Sequence, residues 1–192
     1  YLASSGFGFQ NRWINMQIRK GQESWGAGND IQIAISEESN SYDYIMLDLN
    51  FEKLRVRYFN GFLESDSLSY NRYITGRGIE WNNKKNILFG ISEVVVYSGL
   101  NRPIDFSHFN PMSTHIELEL NERQNNLGSD NGNGIWQFSF DFRSKTNIRI
   151  SFNYLFDEFI FDKEQKEKGK GSGEAFSLKT VYSQYKEPNS YF

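Results

Sequence analysis

The chain has no cysteine, no long apolar run and no excess of one charge. Without cysteine, disulfide scaffolds and Cys-based zinc sites are excluded, an absence that suits a chain crossing an oxidising periplasm. No stretch approaches the roughly 18 apolar residues that a spanning helix needs, which excludes a helical membrane protein. Lys and Arg number 21 against 24 Asp and Glu, so the net charge of -3 offers no basic footprint for nucleic acid. The two histidines, His108 and His115, are too few for a zinc site and read as structural. The opening YLASSGFGFQ lacks the basic and apolar regions of a signal peptide, and a chain that starts at Tyr1 is expected to be mature or truncated.

What is present is aromatic and alternating. Aromatics make up 17% of a chain whose mean hydropathy is only -0.64. In GIWQFSFDFRSK (134–145), Trp136, Phe138, Phe140 and Phe142 alternate with Gln137, Ser139, Asp141 and Arg143. Period two puts the aromatics on one face of a strand and the polar groups on the other. The same rhythm recurs at 14–19, 31–35, 44–51, 54–58, 87–97, 115–120, 148–157 and 176–182. This implies about ten strands of roughly 8–12 residues, the length of a tilted membrane strand, where sandwich strands average about 5–6. The expected fold is all-β: an antiparallel transmembrane β-barrel of the outer-membrane type. Ile14, Ile33, Leu47, Val56, Phe140, Ile150 and Phe152 then share one outward face, and the charged alternates line a lumen. A soluble β-sandwich, with the aromatic face as its core, is the alternative. Trp13, Tyr42, Trp81, Tyr97 and Trp136, near strand ends, suit an interfacial girdle.

Glu52-Lys53, 82–85 and 144–147 read as tight turns, and 98–112, 121–134 and 162–174 as long loops. A barrel alternates short turns at one end with long loops at the other; this order slips by one around 121–134. Within 87–97 the alternation breaks at Glu93, which falls on the apolar face and predicts a β-bulge. Neither a repeat nor a domain boundary is visible, so 1–192 reads as a single barrel domain or barrel fragment.

Five short motifs carry a family resemblance: Trp25-Gly26-Ala27-Gly28; Gly76-Arg77-Gly78-Ile79-Glu80; Gly90 to Tyr97, GISEVVVY; Asp105-Phe106-Ser107 with Asn110-Pro111; and Tyr154 to Phe159, YLFDEF. In that order they resemble the Wzi-type capsule-assembly outer-membrane barrels, over most of 1–186. The resemblance implies a bacterial outer-membrane barrel that interacts with surface polysaccharide and keeps capsule on the cell, without catalysis or cofactor. Family members are longer and have more strands, which implies that this chain is a fragment of a larger barrel. Trp25, Gly26, Gly28, Gly76, Gly78, Gly90, Glu93, Pro111 and Asp157 are the motif positions. The glycines read as bends, bulges or close packing in a curved sheet.

Candidate ligand contacts are basic and aromatic. Arg19, Arg55, Arg57, Arg77 and Arg149 are expected on lumen faces, where guanidinium forks suit the carboxylates of acidic sugars. Tyr44, Tyr73 and Trp81 offer rings on which sugars stack. The same arginines equally suit a salt-bridge lattice with Asp48, Glu117, Glu119 and Asp141, with surplus positive charge expected near Arg55 and Arg57. Asp157 and Glu158 are neighbours and point to opposite faces of a strand, so they do not form a glycosidase pair. GKGSG at 169–173 lacks the strand-to-helix context of a phosphate cradle and reads as a flexible loop. The leading functional expectation is a non-enzymatic outer-membrane barrel that binds or organises acidic capsular polysaccharide. A second is a structural barrel subunit of a larger envelope complex, of the secretion or motility kind, with protein partners. A third is a soluble β-sandwich lectin or hydrolase module. Outer-membrane lipid is the expected surrounding partner, no metal is expected, and loops 98–112 and 162–174 are expected to carry partner contacts.

Overall fold

In the computed structural model, residues 5–28, 32–63, 65, 69–115, 117, 132–144, 147–157 and 173–183 are described. They form nine strands: β1 (Ser5–Gln10), β2 (Ile14–Gly21), β3 (Tyr42–Phe51), β4 (Leu54–Leu63), β5 (Tyr70–Asn82), β6 (Ile87–Leu100), β7 (Gly132–Arg143), β8 (Ile148–Asp157) and β9 (Glu174–Tyr182). A short 3-10 turn at Phe106–Phe109 follows β6. The strands pair in sequence order, each antiparallel to the next, in one sheet. Between β1 and β9 no pairing occurs among the described residues.

Pairing fixes which residues share a face. The register runs unbroken through β6, with Glu93 opposite Arg77 of β5 and Trp136 of β7. The expected β-bulge is therefore absent: Glu93 stays on the apolar parity, and a different device accommodates it, described below. On the other parity stand Asp48, Gln137, Ser139, Asp141, Ser151, Asn153 and Ser177, all buried. The apolar parity is the open one, with Phe7, Phe9, Met16, Ile18, Ile45, Ile79, Phe89, Phe176 and Leu178 exposed. The usual arrangement of a water-soluble sheet is inverted.

The polar face is the one the segment between β2 and β3 covers; it is termed concave below, and the opposite face convex. Residues 22–28 and 32–36, between β2 and β3, lie across the concave face as an inner strap. Glu23 of this strap meets Arg19 of β2 at 3.3 Å, and Ala27 exchanges two hydrogen bonds with Asn153 of β8. The strap thus ties together β2 and β8, which stand six positions apart in the order of the sheet. Its hydrophobic core is small and sits here, where Trp25 and Ile35 pack on Tyr42, Tyr44, Met46, Phe59 and Val94. Trp25 meets Phe59 edge-on at 5.3 Å. A Cβ at Gly76 would overlap the Phe59 ring, so glycine there leaves the ring its place.

Several expectations change. The segment at 31–35 is not a strand: Ile33 lies in the inner strap, away from the outward face, and Ile35 only bridges Trp25. Ile14, Leu47, Val56, Phe140, Ile150 and Phe152 do share the convex face by register. Of the strand expected at 115–120, His115 and Glu117 are helical instead, and the other residues lie outside those described. Conversely Ser5–Gln10 is a strand, its Phe7 and Phe9 alternating with Gly6 and Gly8. With these changes nine strands replace ten, and the order of connections no longer slips. Those at 11–13, 52–53, 83–86 and 144–147 are short and share one end; those at 22–41, 64–69, 101–131 and 158–173 are longer and share the other. The apparent slip came from counting 115–120 as a strand. Among the expected girdle residues, Trp13 and Trp81 are exposed, but Tyr42 and Tyr97 are buried in packing. The expected loop at 98–112 begins only after Leu100, and 121–131 and 162–172 lie outside the described residues.

Candidate functional site

The concave face is a polar wall in which Arg19, Arg55, Arg57 and Arg149 each have a carboxylate partner. Glu23, almost fully buried, is the hub of the inner strap. It accepts hydrogen bonds from the Tyr44 hydroxyl at 2.7 Å, Trp25 Nε1 at 3.0 Å, Arg57 Nη2 at 3.2 Å and Arg19 Nη2 at 3.3 Å. Arg19 also donates to Tyr44 and lies over its ring, while Arg57 stacks over Trp25 at 4.7 Å. One carboxylate thus answers two guanidiniums, in a site where each unpaired donor would be costly.

Arg55 lies one strand position further toward the short-turn end. It makes a forked pair with Asp48 of β3 and reaches Glu80 of β5 at 3.3 Å. This triad lines a cavity of about 380 Å³ with Trp13, Asn15, Asn50, Lys53, Asn82 and Lys84. Across the sheet, Asp141 receives Arg149 Nε and the Ser151 hydroxyl, each at 2.7 Å, with Arg143 at 3.5 Å. The surplus charge expected near Arg55 and Arg57 is absent, because the carboxylates come from flanking strands and from the strap. Reading the arginines' own strand could not reveal them. Of the expected lattice carboxylates Asp48 and Asp141 take part, Glu117 is helical, and Glu119 lies outside the described residues.

An amide clamp fixes the far end of the strap. Asn153 donates to the Ala27 carbonyl and accepts from its amide, both at 2.7 Å, while Gln137 Nε2 reaches the Trp25 carbonyl at 3.3 Å. Gly26 and Gly28 have φ of 131° and 79°, left-handed values that favour glycine. A Cβ on Gly26 would stand 2.8 Å from Gln137 Nε2 and 3.0 Å from Asn153 Oδ1. At Gly78 a Cβ would crowd Ser92 Cβ at 3.0 Å and the Ile91 carbonyl at 3.2 Å of the neighbouring strand, while Gly90 has ordinary clearance. Trp25-Gly26-Ala27-Gly28 is therefore the strap itself rather than a bend in a strand.

Arg77 is the correction among the arginines. By register it stands on the convex face, with Nε 3.3 Å from Glu93 Oε2, not on the concave wall. Tyr73 and Trp81 share that convex face, so neither ring meets the concave arginines. Tyr73 stacks on Tyr97 at 5.0 Å, and Trp81 is exposed. Of the eight candidate contacts, only Arg19, Tyr44 and Arg57 come together; Arg55 and Arg149 belong to separate clusters. Asp157 closes β8, its amide bonded to the Gly173 carbonyl at 2.7 Å, and Pro111 is exposed in the segment after β6. Glu158 and Asp162 lie outside the described residues.

Neither family models, curated proteins nor solved structures give this chain a match. Function therefore rests on the geometry itself.

Proposed function

We propose that this chain is the wall of a bacterial outer-membrane β-barrel, or of part of one, with a non-enzymatic role in holding surface polysaccharide. The observation that carries the membrane half is the inversion of the sheet. Exposed Phe7, Ile18, Phe89 and Leu178 occupy the convex face, and buried Asp48, Gln137, Asp141 and Asn153 the concave one. A bilayer favours that distribution and water disfavours it. Short connections at one end and long ones at the other support the same reading.

The polysaccharide half follows from the family resemblance and from Arg19, Arg55 and Arg149, whose side chains keep 33–42% exposure on the concave side although each is paired. A second reading, a structural barrel subunit of a larger envelope complex, is favoured by that same pairing, since each guanidinium already satisfies a carboxylate. The double variant Arg55→Gln, Arg149→Gln separates them. Polysaccharide binding predicts weaker, salt-sensitive retention of acidic polysaccharide by cells carrying it. Unchanged retention, with the barrel still folded, supports the structural subunit. For the membrane half, the lack of cysteine makes single-cysteine scanning of 137–142 clean. Water-soluble thiol reagents should miss positions 138, 140 and 142 in vesicles, and rapid labelling there would reject the bilayer.

A further inference from the structure

The convex face is not apolar throughout. Tyr58, Asn60, Tyr73, Arg77 and Glu93 interrupt it, and all are buried although they point away from the inner strap. What buries them is residues 101–115, which leave the end of β6 and fold back over the outside of β4–β6 as an outer strap. The sheet's polar side chains hold its backbone. The Tyr58 hydroxyl donates to the His108 carbonyl at 3.0 Å, the Tyr73 hydroxyl to the Arg102 carbonyl at 2.9 Å, and Asn71 Nδ2 to that same carbonyl at 2.8 Å. Arg77 Nη1 donates to the Asn110 carbonyl at 3.4 Å, and Glu93 Oε1 accepts the His115 amide at 2.9 Å. The break in alternation at Glu93 is thus an anchor for this strap.

The strap repeats the inversion of the sheet. Its ionisable side chains, Arg102, Asp105, His108 and His115, all turn toward the sheet and are buried. Its outer side shows Ile104, Phe106 and Met112, the last two at 80% and 77% exposure, beside the two prolines, with Asn101 and Asn110 its exposed polar residues and no charge. Part of its backbone is capped from within: Asp105 receives the Ser107 amide, Asn110 Oδ1 the Met112 amide and the Asn110 carbonyl the Ser113 amide, while Pro103 and Pro111 have no N–H to satisfy. A strap facing water gains nothing from hiding four ionisable groups and displaying Phe and Met. A protein interface would carry a polar rim and direct hydrogen bonds. Hydrocarbon requires both the absence of charge and internally satisfied backbone.

Glu93 lies six residues from the short-turn end of β6. At a rise of about 3.4 Å and a tilt near 40°, that is about 16 Å up an apolar band about 25 Å tall. We infer that residues 101–115 form a lipid-immersed cover on the outside of the barrel, sealing the Arg77–Glu93 pair from the bilayer and meeting acyl chains through Ile104, Phe106 and Met112. The inference rests on the membrane reading above and deepens it.

The test uses nitroxide labels at Phe106→Cys, Met112→Cys and, as a control on the open convex face, Leu178→Cys, in the full chain reconstituted in phosphatidylcholine vesicles. All three side chains are exposed, so a label there leaves packing intact. Collision with oxygen, which partitions into lipid, is compared with collision with a water-soluble nickel chelate. At 106 and 112 oxygen collisions should exceed nickel collisions severalfold, as at 178. Nickel access at 106 and 112 with oxygen access at 178 would put the strap in water and overturn the cover while sparing the barrel. Exclusion of both reagents at 106 and 112 would place a protein there and also overturn it. Nickel access at 178 would reject the membrane reading, and the cover with it.

Discussion

The inverted sheet makes a prediction with a gradient in it. Phe138, Phe140 and Phe142 are alternate convex residues of β7, which ends at Arg143 at the short-turn end. With a rise of about 3.4 Å per residue and a strand tilt near 40°, each residue climbs about 2.6 Å across the membrane. Phe142 then lies about 3 Å, Phe140 about 8 Å and Phe138 about 13 Å from the strand end, the last near the middle of an apolar band about 25 Å tall. Arginine at the midplane of a barrel's lipid face costs about 2–4 kcal/mol, falling to about 0–1 near the interface. Replacing Phe138 also removes its rings' contacts with Phe89 at 6.5 Å and Phe156 at 5.9 Å, so alanine is the proper reference at each site. The expected excess cost of Arg over Ala is therefore about 2–4 kcal/mol at 138, intermediate at 140 and below about 1 kcal/mol at 142. Urea unfolding from vesicles, followed by tryptophan emission, reads all three. Equal excess costs at 138 and 142 would refute lipid exposure, because water has no depth.

Two further outcomes follow from particular contacts. Asn153→Ala orphans the buried amide and carbonyl of Ala27, so it should lower stability by about 2–5 kcal/mol and render the inner strap sensitive to protease; an unchanged unfolding midpoint would mean that the strap is not held there. Gly76→Ala sets a Cβ against the Phe59 ring, and should destabilise by about 1–3 kcal/mol, partly rescued in unfolding measurements by Phe59→Leu.

How far these sites were legible differs residue by residue. Arg55 and Arg149 stood on the expected face, but their partners Asp48, Glu80 and Asp141 became partners only through register. Glu93 was visible as an anomaly, yet nothing local distinguishes a bulge from an anchor for a segment twenty residues downstream. The tryptophan–glycine motif was visible too, though not as a strap crossing to Asn153, 126 residues away.

Parity was determined by the sequence alone, because the pleat is local: once Trp136, Phe138, Phe140 and Phe142 alternate with Gln137, Ser139 and Asp141, they must occupy opposite faces. So was the preference for strands over helices along most of the chain. Which face is covered was decided only in three dimensions, because a polar wall is buried only where another segment meets its groups, here the six residues from Glu23 to Gly28. The outside of the sheet was decided there as well. Arg77 and Glu93 obey the same alternation as Ile79 and Ile91, and only the segment folded back over them makes their burial possible.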